Sequence, residues 1–93
     1  MTIQGDAEAV MKFMYEEYVN SREISPQSIR QKFSQWGGDR IDRAIKYLRD
    51  DGSIEIILML GSVDGVQNFI LKKMTPSGIQ GVEKKSGKQA RSK

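Results

Sequence analysis

Between positions 6 and 20 the apolar residues Ala7, Val10, Met11, Met14, Tyr15 and Tyr18 recur at intervals of three and four, with Glu8, Lys12, Glu16 and Glu17 between them. That spacing gathers the apolar groups on one side of a helix, with Asp6 standing where an N-cap is expected. Ser25-Pro26 marks a second start. The serine can cap, and the proline takes a first-turn position whose N–H a helix does not need. This short helix runs through Ile29 and Phe33 and ends near Ser34. Trp36-Gly37-Gly38 breaks the pattern, because paired glycines allow a sharp corner. Trp36 is expected to pack across that corner. A third helix is predicted from Asp39 to Asp51. Ile41, Ala44, Ile45 and Leu48 form its apolar stripe, and Gly52 is placed to end it in a left-handed conformation.

Periodicity then shortens. Ser53 to Leu60 and Val66 to Met74 are β-favouring runs joined by Gly61-Ser-Val-Asp-Gly65, which predicts a hairpin. Ile54, Ile56, Leu58 and Leu60 make one face of the first strand. Ile57 and Met59 lie with Glu55 on the other, and Ile70 adds to that second face from the opposite strand. A strand in a two- or three-stranded sheet normally shows water one face, so Ile57, Met59 and Ile70 predict a covering element. Packing by the first or last helix of the same chain is favoured over a second copy forming a homodimer. Thr75-Pro76-Ser77-Gly78 restarts a helix, with Thr75 as cap and with Ile79 and Val82 toward the core. Beyond Lys85 only Ala90 is neither polar, charged nor glycine, too little to offset the entropy of ordering. The prediction is one α+β domain over residues 1–85, in the order helix-helix-helix-hairpin-helix, and a disordered basic tail over 86–93.

Composition narrows the chemistry. A chain of 93 residues with 38% hydrophobic and 29% charged residues suits one small folded domain. Cysteine and histidine are both absent, which removes disulfides, thiolate metal sites, cysteine nucleophiles and histidine-dependent triads. No phosphate-cradling glycine-lysine loop occurs. Asp50 and Asp51, like Glu16 and Glu17, are adjacent and so diverge by about 100° on a helix, unsuited to acid-base work. The expectation is a non-enzyme without cofactor, metal or small-molecule substrate. The longest apolar run, Ile56 to Leu60, is far short of the roughly 20 residues of a spanning helix. The first residues lack the order of a signal peptide, so the chain reads as cytoplasmic and not membrane-bound.

Net charge is +3, but Lys84, Lys85, Lys88, Arg91 and Lys93 carry +5 with no acid among residues 84–93. Ten basic and twelve acidic side chains remain in residues 1–83, a net of −2. The basic balance therefore belongs to the tail, which could add salt-sensitive affinity for a polyanion.

Two segments carry a family resemblance. Asp39-Arg-Ile-Asp-Arg-Ala-Ile-Lys-Tyr-Leu-Arg-Asp-Asp-Gly-Ser-Ile54 resembles the recognition helix of winged helix-turn-helix domains and its Leu-x-x-x-Gly-x-Ile exit into the wing. Met74-Thr-Pro-Ser-Gly-Ile79 is similar to the Leu-Thr-Pro-x-Gly step from wing to last helix. The likeness extends over roughly residues 6 to 84 in element order. It implies a small transcriptional regulator that reads double-stranded DNA with helix 39–51 and the 61–66 wing. Helical geometry turns Asp39, Arg43, Lys46 and Asp50 outward, with Arg40 and Arg49 on the flanks. Arg43 and Lys46 are the leading candidates, since arginine can engage guanine and lysine a phosphate. Arg40, Arg30, Gln67, Lys72 and Lys73 complete the candidate DNA-binding set. A plainer explanation is a solvated helix that pairs Asp39 with Arg43 or Asp42 with Lys46. The alternative function is a protein-interaction module docking through its apolar strand face.

Overall fold

The structure, a computed structural model, describes residues 2–86. The elements are α1 (Ile3–Val19), α2 (Pro26–Lys32), α3 (Gly38–Asp50), β1 (Ile54–Val63), β2 (Val66–Met74) and α4 (Pro76–Ser86). This is an α+β arrangement in the predicted order. The predicted tail, Ser86 apart, lies outside the described residues.

Local chemistry explains where the helices begin. The Thr2 hydroxyl accepts the Gly5 N–H at 2.9 Å, so α1 starts three residues before the expected cap, Asp6. Asp6 instead lies inside the helix, where its carboxylate is taken by Arg40. At α2, Ser25 and Ser28 cap each other: each hydroxyl accepts the other's backbone N–H, at 3.1 and 3.0 Å. This reciprocal pair satisfies two donors that a helix start leaves open.

The end of α3 is a Schellman turn. Gly52 takes φ +83°, its N–H donates to Arg49, and Ser53 N–H donates to Leu48. The turn is then locked to the start of α4. Thr75 N–H donates to the Ser53 carbonyl at 3.0 Å, the Thr75 hydroxyl lies 2.5 Å from the Gly52 carbonyl, and its oxygen accepts the Gly78 N–H at 3.1 Å. A side chain at position 78 would collide with the Ser53 carbonyl. The Gly-Ser exit of α3 and the Thr-Pro-x-Gly entry of α4 are therefore two halves of one junction.

β1 and β2 form a two-stranded antiparallel sheet, Ile54 opposite Met74 and Val63 opposite Val66. The connection is shorter than the predicted five residues. Asp64 and Gly65 alone turn the chain, at φ +52° and +88°, as a two-residue type I′ hairpin requires. The register shifts between Leu58 and Ser62, so Met59, Leu60 and Gly61 face a single residue, Asn68, in a bulge. The bulge corrects the predicted facing of Leu60, which is 97% exposed where alternation alone would turn it inward.

The buried hydrophobic side chains come from α1, α2, α3 and the hairpin, with no buried polar or charged residue among those described, and α4 adds the buried Gly78: Val10 and Met14, Ile29, Ile41 and Ile45, Ile54 and Val66 form the deepest group. Ile79 and Val82 of α4 pack against it from the side. The covering of Ile57 and Met59 by a helix of the same chain is not found: they are 49% and 41% exposed, because the helices cover only the opposite face of the hairpin.

Candidate nucleic-acid interface

α3 carries its two roles on opposite sides. Ile41, Ala44, Ile45 and Leu48 are buried, while Asp39, Arg43 and Asp50 are exposed and Lys46 is partly so. Arg43 has no hydrogen bond or ion pair among the described residues, whereas Lys46 Nζ lies 3.1 Å from Asp42, the four-residue pair expected of a solvated helix. Arg49 turns to Asp50 at 3.0 Å. Such exposed pairs contribute roughly 0–1 kcal/mol, so a competing anion can displace either acid at little cost.

Arg40 is engaged within the fold. Its guanidinium makes two hydrogen bonds to Asp6, at 2.8 and 2.9 Å, and stacks 3.9 Å from the centre of the Trp36 ring. Trp36 in turn leans on Phe33, with ring centres 4.5 Å apart. Arg40 holds the Asp6 carboxyl below its ordinary range through these hydrogen bonds, and Asp6 raises the arginine reciprocally. The cluster fastens the corner before α3 to α1.

Arg30 is likewise turned inward. One terminal nitrogen donates to the Trp36 carbonyl at 2.7 Å and lies near those of Ser34 and Phe33. Its Nε is buried without a hydrogen-bond partner among the described residues. This side chain closes the open carbonyl end of α2, where a cation also meets the negative pole of the helix.

The hairpin candidates separate along its length. Gln67 sits one residue past the turn's exit and reaches back across the bulge to the Met59 carbonyl at 3.5 Å. Lys72 and Lys73 lie at the base, where Lys73 approaches Glu55 at 3.7 Å. Lys72 lines a groove of about 410 Å³ with Tyr18, Arg22 and Ile70, to which α3 contributes no residue. The hairpin tip does reach α3: Gly65 lies against Gly38, and a Cβ on Gly38 would come within 2.8 Å of the Gly65 backbone. Gly38 is thus required for its lack of a side chain, while Gly37 has an ordinary φ of −70°. Asp39 and Asp64 flank this contact in sequence, which makes it acidic.

Of the seven candidates, α3 presents Arg43 and Lys46 together, Gln67 stands near the tip, Lys72 and Lys73 stand apart at the base, and Arg30 and Arg40 serve the corner. The long-range Arg40–Asp6 partnership spans 34 positions and has no periodic signature. Sequence reasoning also missed a groove of about 460 Å³ between α1, the end of α3 and α4, floored by Ala7, Met11, Leu48, Gly78 and Val82. Tyr15 donates to Glu83 at 2.6 Å, tying α1 to α4 and raising the phenol above its ordinary value. Among the described residues no group of three or more acidic side chains is placed to hold a metal, and no helix is long and apolar enough to cross a membrane. No protein-family model, curated protein or solved structure matches the chain.

Proposed function

We propose that the chain is a winged helix-turn-helix domain that binds double-stranded DNA as a small transcriptional regulator, with the outward side of α3 in the major groove. The observation that carries this reading is Arg43: an exposed arginine with no hydrogen bond or ion pair among the described residues, on a helix whose opposite face is buried, one turn from Lys46. Lys46 can exchange Asp42 for a phosphate at small cost, and Arg43 can present two donors to a guanine edge. Arg30 and Arg40 act indirectly, holding the corner from which α3 projects. The basic residues beyond Lys84 supply sequence-independent affinity.

The test is a salt titration of binding to random-sequence duplex DNA, with the whole chain and with residues 87–93 removed, which leaves α4 intact. Arg43→Ala with Lys46→Ala should weaken binding by the shortened form and reduce the log–log salt slope by about 0.9, the effect of the one phosphate contact that Lys46 makes. Full affinity in that variant removes α3 from the interface. Absence of binding by the whole chain at low salt ends the DNA reading.

A second reading is favoured by a separate observation. Ile57, Met59, Leu60 and Ile70 leave the hairpin apolar on its outer side, which suits a protein-interaction module on the same scaffold.

A further inference from the structure

We infer that the outer face of the hairpin is covered by the same face of a second copy, with β1 of one protomer lying over β2 of the other. This goes beyond the DNA reading and does not depend on it.

The register makes the face self-complementary. Ile57 and Ile70 are cross-strand partners, 49% and 51% exposed, and form its centre. Toward the base, across a register shift between Glu55 and Ile56, Glu55 opposes Lys73, two residues along β1 and three along β2. A two-fold axis running along the strands, midway between them, exchanges β1 with β2. It lays Ile57 over the partner's Ile70, and Glu55 over the partner's Lys73. Each isoleucine then meets an isoleucine and each charge an opposite charge, with no like charges brought together at those positions. Sheets packed face to face with strands nearly aligned adopt this geometry, and an isologous contact closes after two copies.

The composition also fits. Ile57, Met59 and Ile70 are 41–51% exposed and Leu60 is 97% exposed, four large apolar side chains of the kind that mark an interaction surface when grouped. A standard interface of roughly 800 Å² per partner is a little over half apolar, so such a centre is completed by a polar rim, to which Glu55 and Lys73 belong. Leu60, standing out from the bulge at the margin, extends the contact beyond the paired strands.

Sedimentation of the whole chain over a concentration series tests the inference. A species of twice the 10.5 kDa chain mass is expected. Ile57→Ser or Ile70→Ser should weaken association about tenfold or more, because symmetry removes each side chain twice. Glu55→Lys should also weaken it, and adding Lys73→Glu should restore it, since the exchange recreates both opposite-charge contacts. The chain has no cysteine, so oxidising a mixture of Ile57→Cys and Ile70→Cys proteins should cross-link the two together far more than either alone. Circular dichroism of the dilute variants separates lost association from lost folding. A monomer at every concentration overturns the inference, as does a dimer indifferent to positions 55, 57 and 70. A monomer that binds DNA refutes only this interface, and a dimer that does not bind DNA refutes only the DNA reading.

Discussion

The two faces of the hairpin are built from the same kinds of residue and meet opposite fates. Ile54, Val66, Phe69 and Met74 are at most 4% exposed, while Ile57 and Ile70 stand half open on the other side. Ile54 and Ile57 are chemically identical, so hydrophobicity does not decide between them. The supply of covering elements does. A two-stranded hairpin is marginal alone and gains its stability by packing one face on helices. Here α2 and α3 lie against the inner face, and no described segment of the chain covers the outer one.

The largest effect should come from emptying the inner face. Phe69→Ala is expected to lower unfolding stability by about 3–5 kcal/mol in urea titration, a large part of the 5–15 kcal/mol typical of a folded domain. Ile70→Ser, its neighbour on the outer face, should change a dilute protomer by less than about 1 kcal/mol. Equal losses would abolish the distinction between the faces. A smaller effect probes how the hairpin is seated. Gly38→Ala forces a methyl against the Gly65 backbone and should cost about 1–3 kcal/mol. Gly37→Ala meets open space and should cost under about 1 kcal/mol, as a modest loss at an N-cap position.

The smallest effect concerns the corner before α3. Arg40 depresses the folded-state pKa of Asp6 below its ordinary 3.8. The stabilisation is therefore complete above that value and is lost as pH falls through the depressed folded value. Asp6→Asn should melt slightly below the native chain at neutral pH, and the gap should close on acidification below 3.8. A gap that stays constant with pH would show that the carboxylate charge is not what holds the corner.

Much of the fold was legible because it is written in short-range chemistry. Ser25-Pro26, the Gly52 helix end and the Thr75 cap each depend on backbone groups within a few residues, and each occurs where the sequence predicts. The errors arose where neighbours along the chain compete. Asp6 satisfies the rule for a cap, but Thr2 supplies an earlier one and Arg40 claims the carboxylate. The hairpin loop looked five residues long because Gly61 resembles a turn residue, whereas Asp64-Gly65 turns unaided and Gly61 belongs to the bulge. For the candidate interface, the outward positions of Arg43 and the Asp42–Lys46 pair follow from helical spacing. The inward roles of Arg30 and Arg40 do not, because an arginine is long enough to choose between solvent, a carbonyl of the adjoining corner and a carboxylate far along the chain.

The sequence by itself determined the elements, their order and the buried stripe of α3, since periodicity, caps and turn residues act over one or two helical turns. Tertiary structure alone decided which face of the hairpin is covered, which arginines remain on the surface, and why position 38 must be glycine. Arg30 finds its carbonyls within six positions, but the seating of the hairpin and the engagement of Arg40 depend on groups 27 and 34 positions apart, Gly38 with Gly65 and Asp6 with Arg40. No local pattern encodes such a meeting, and packing settles it only once every element is in place.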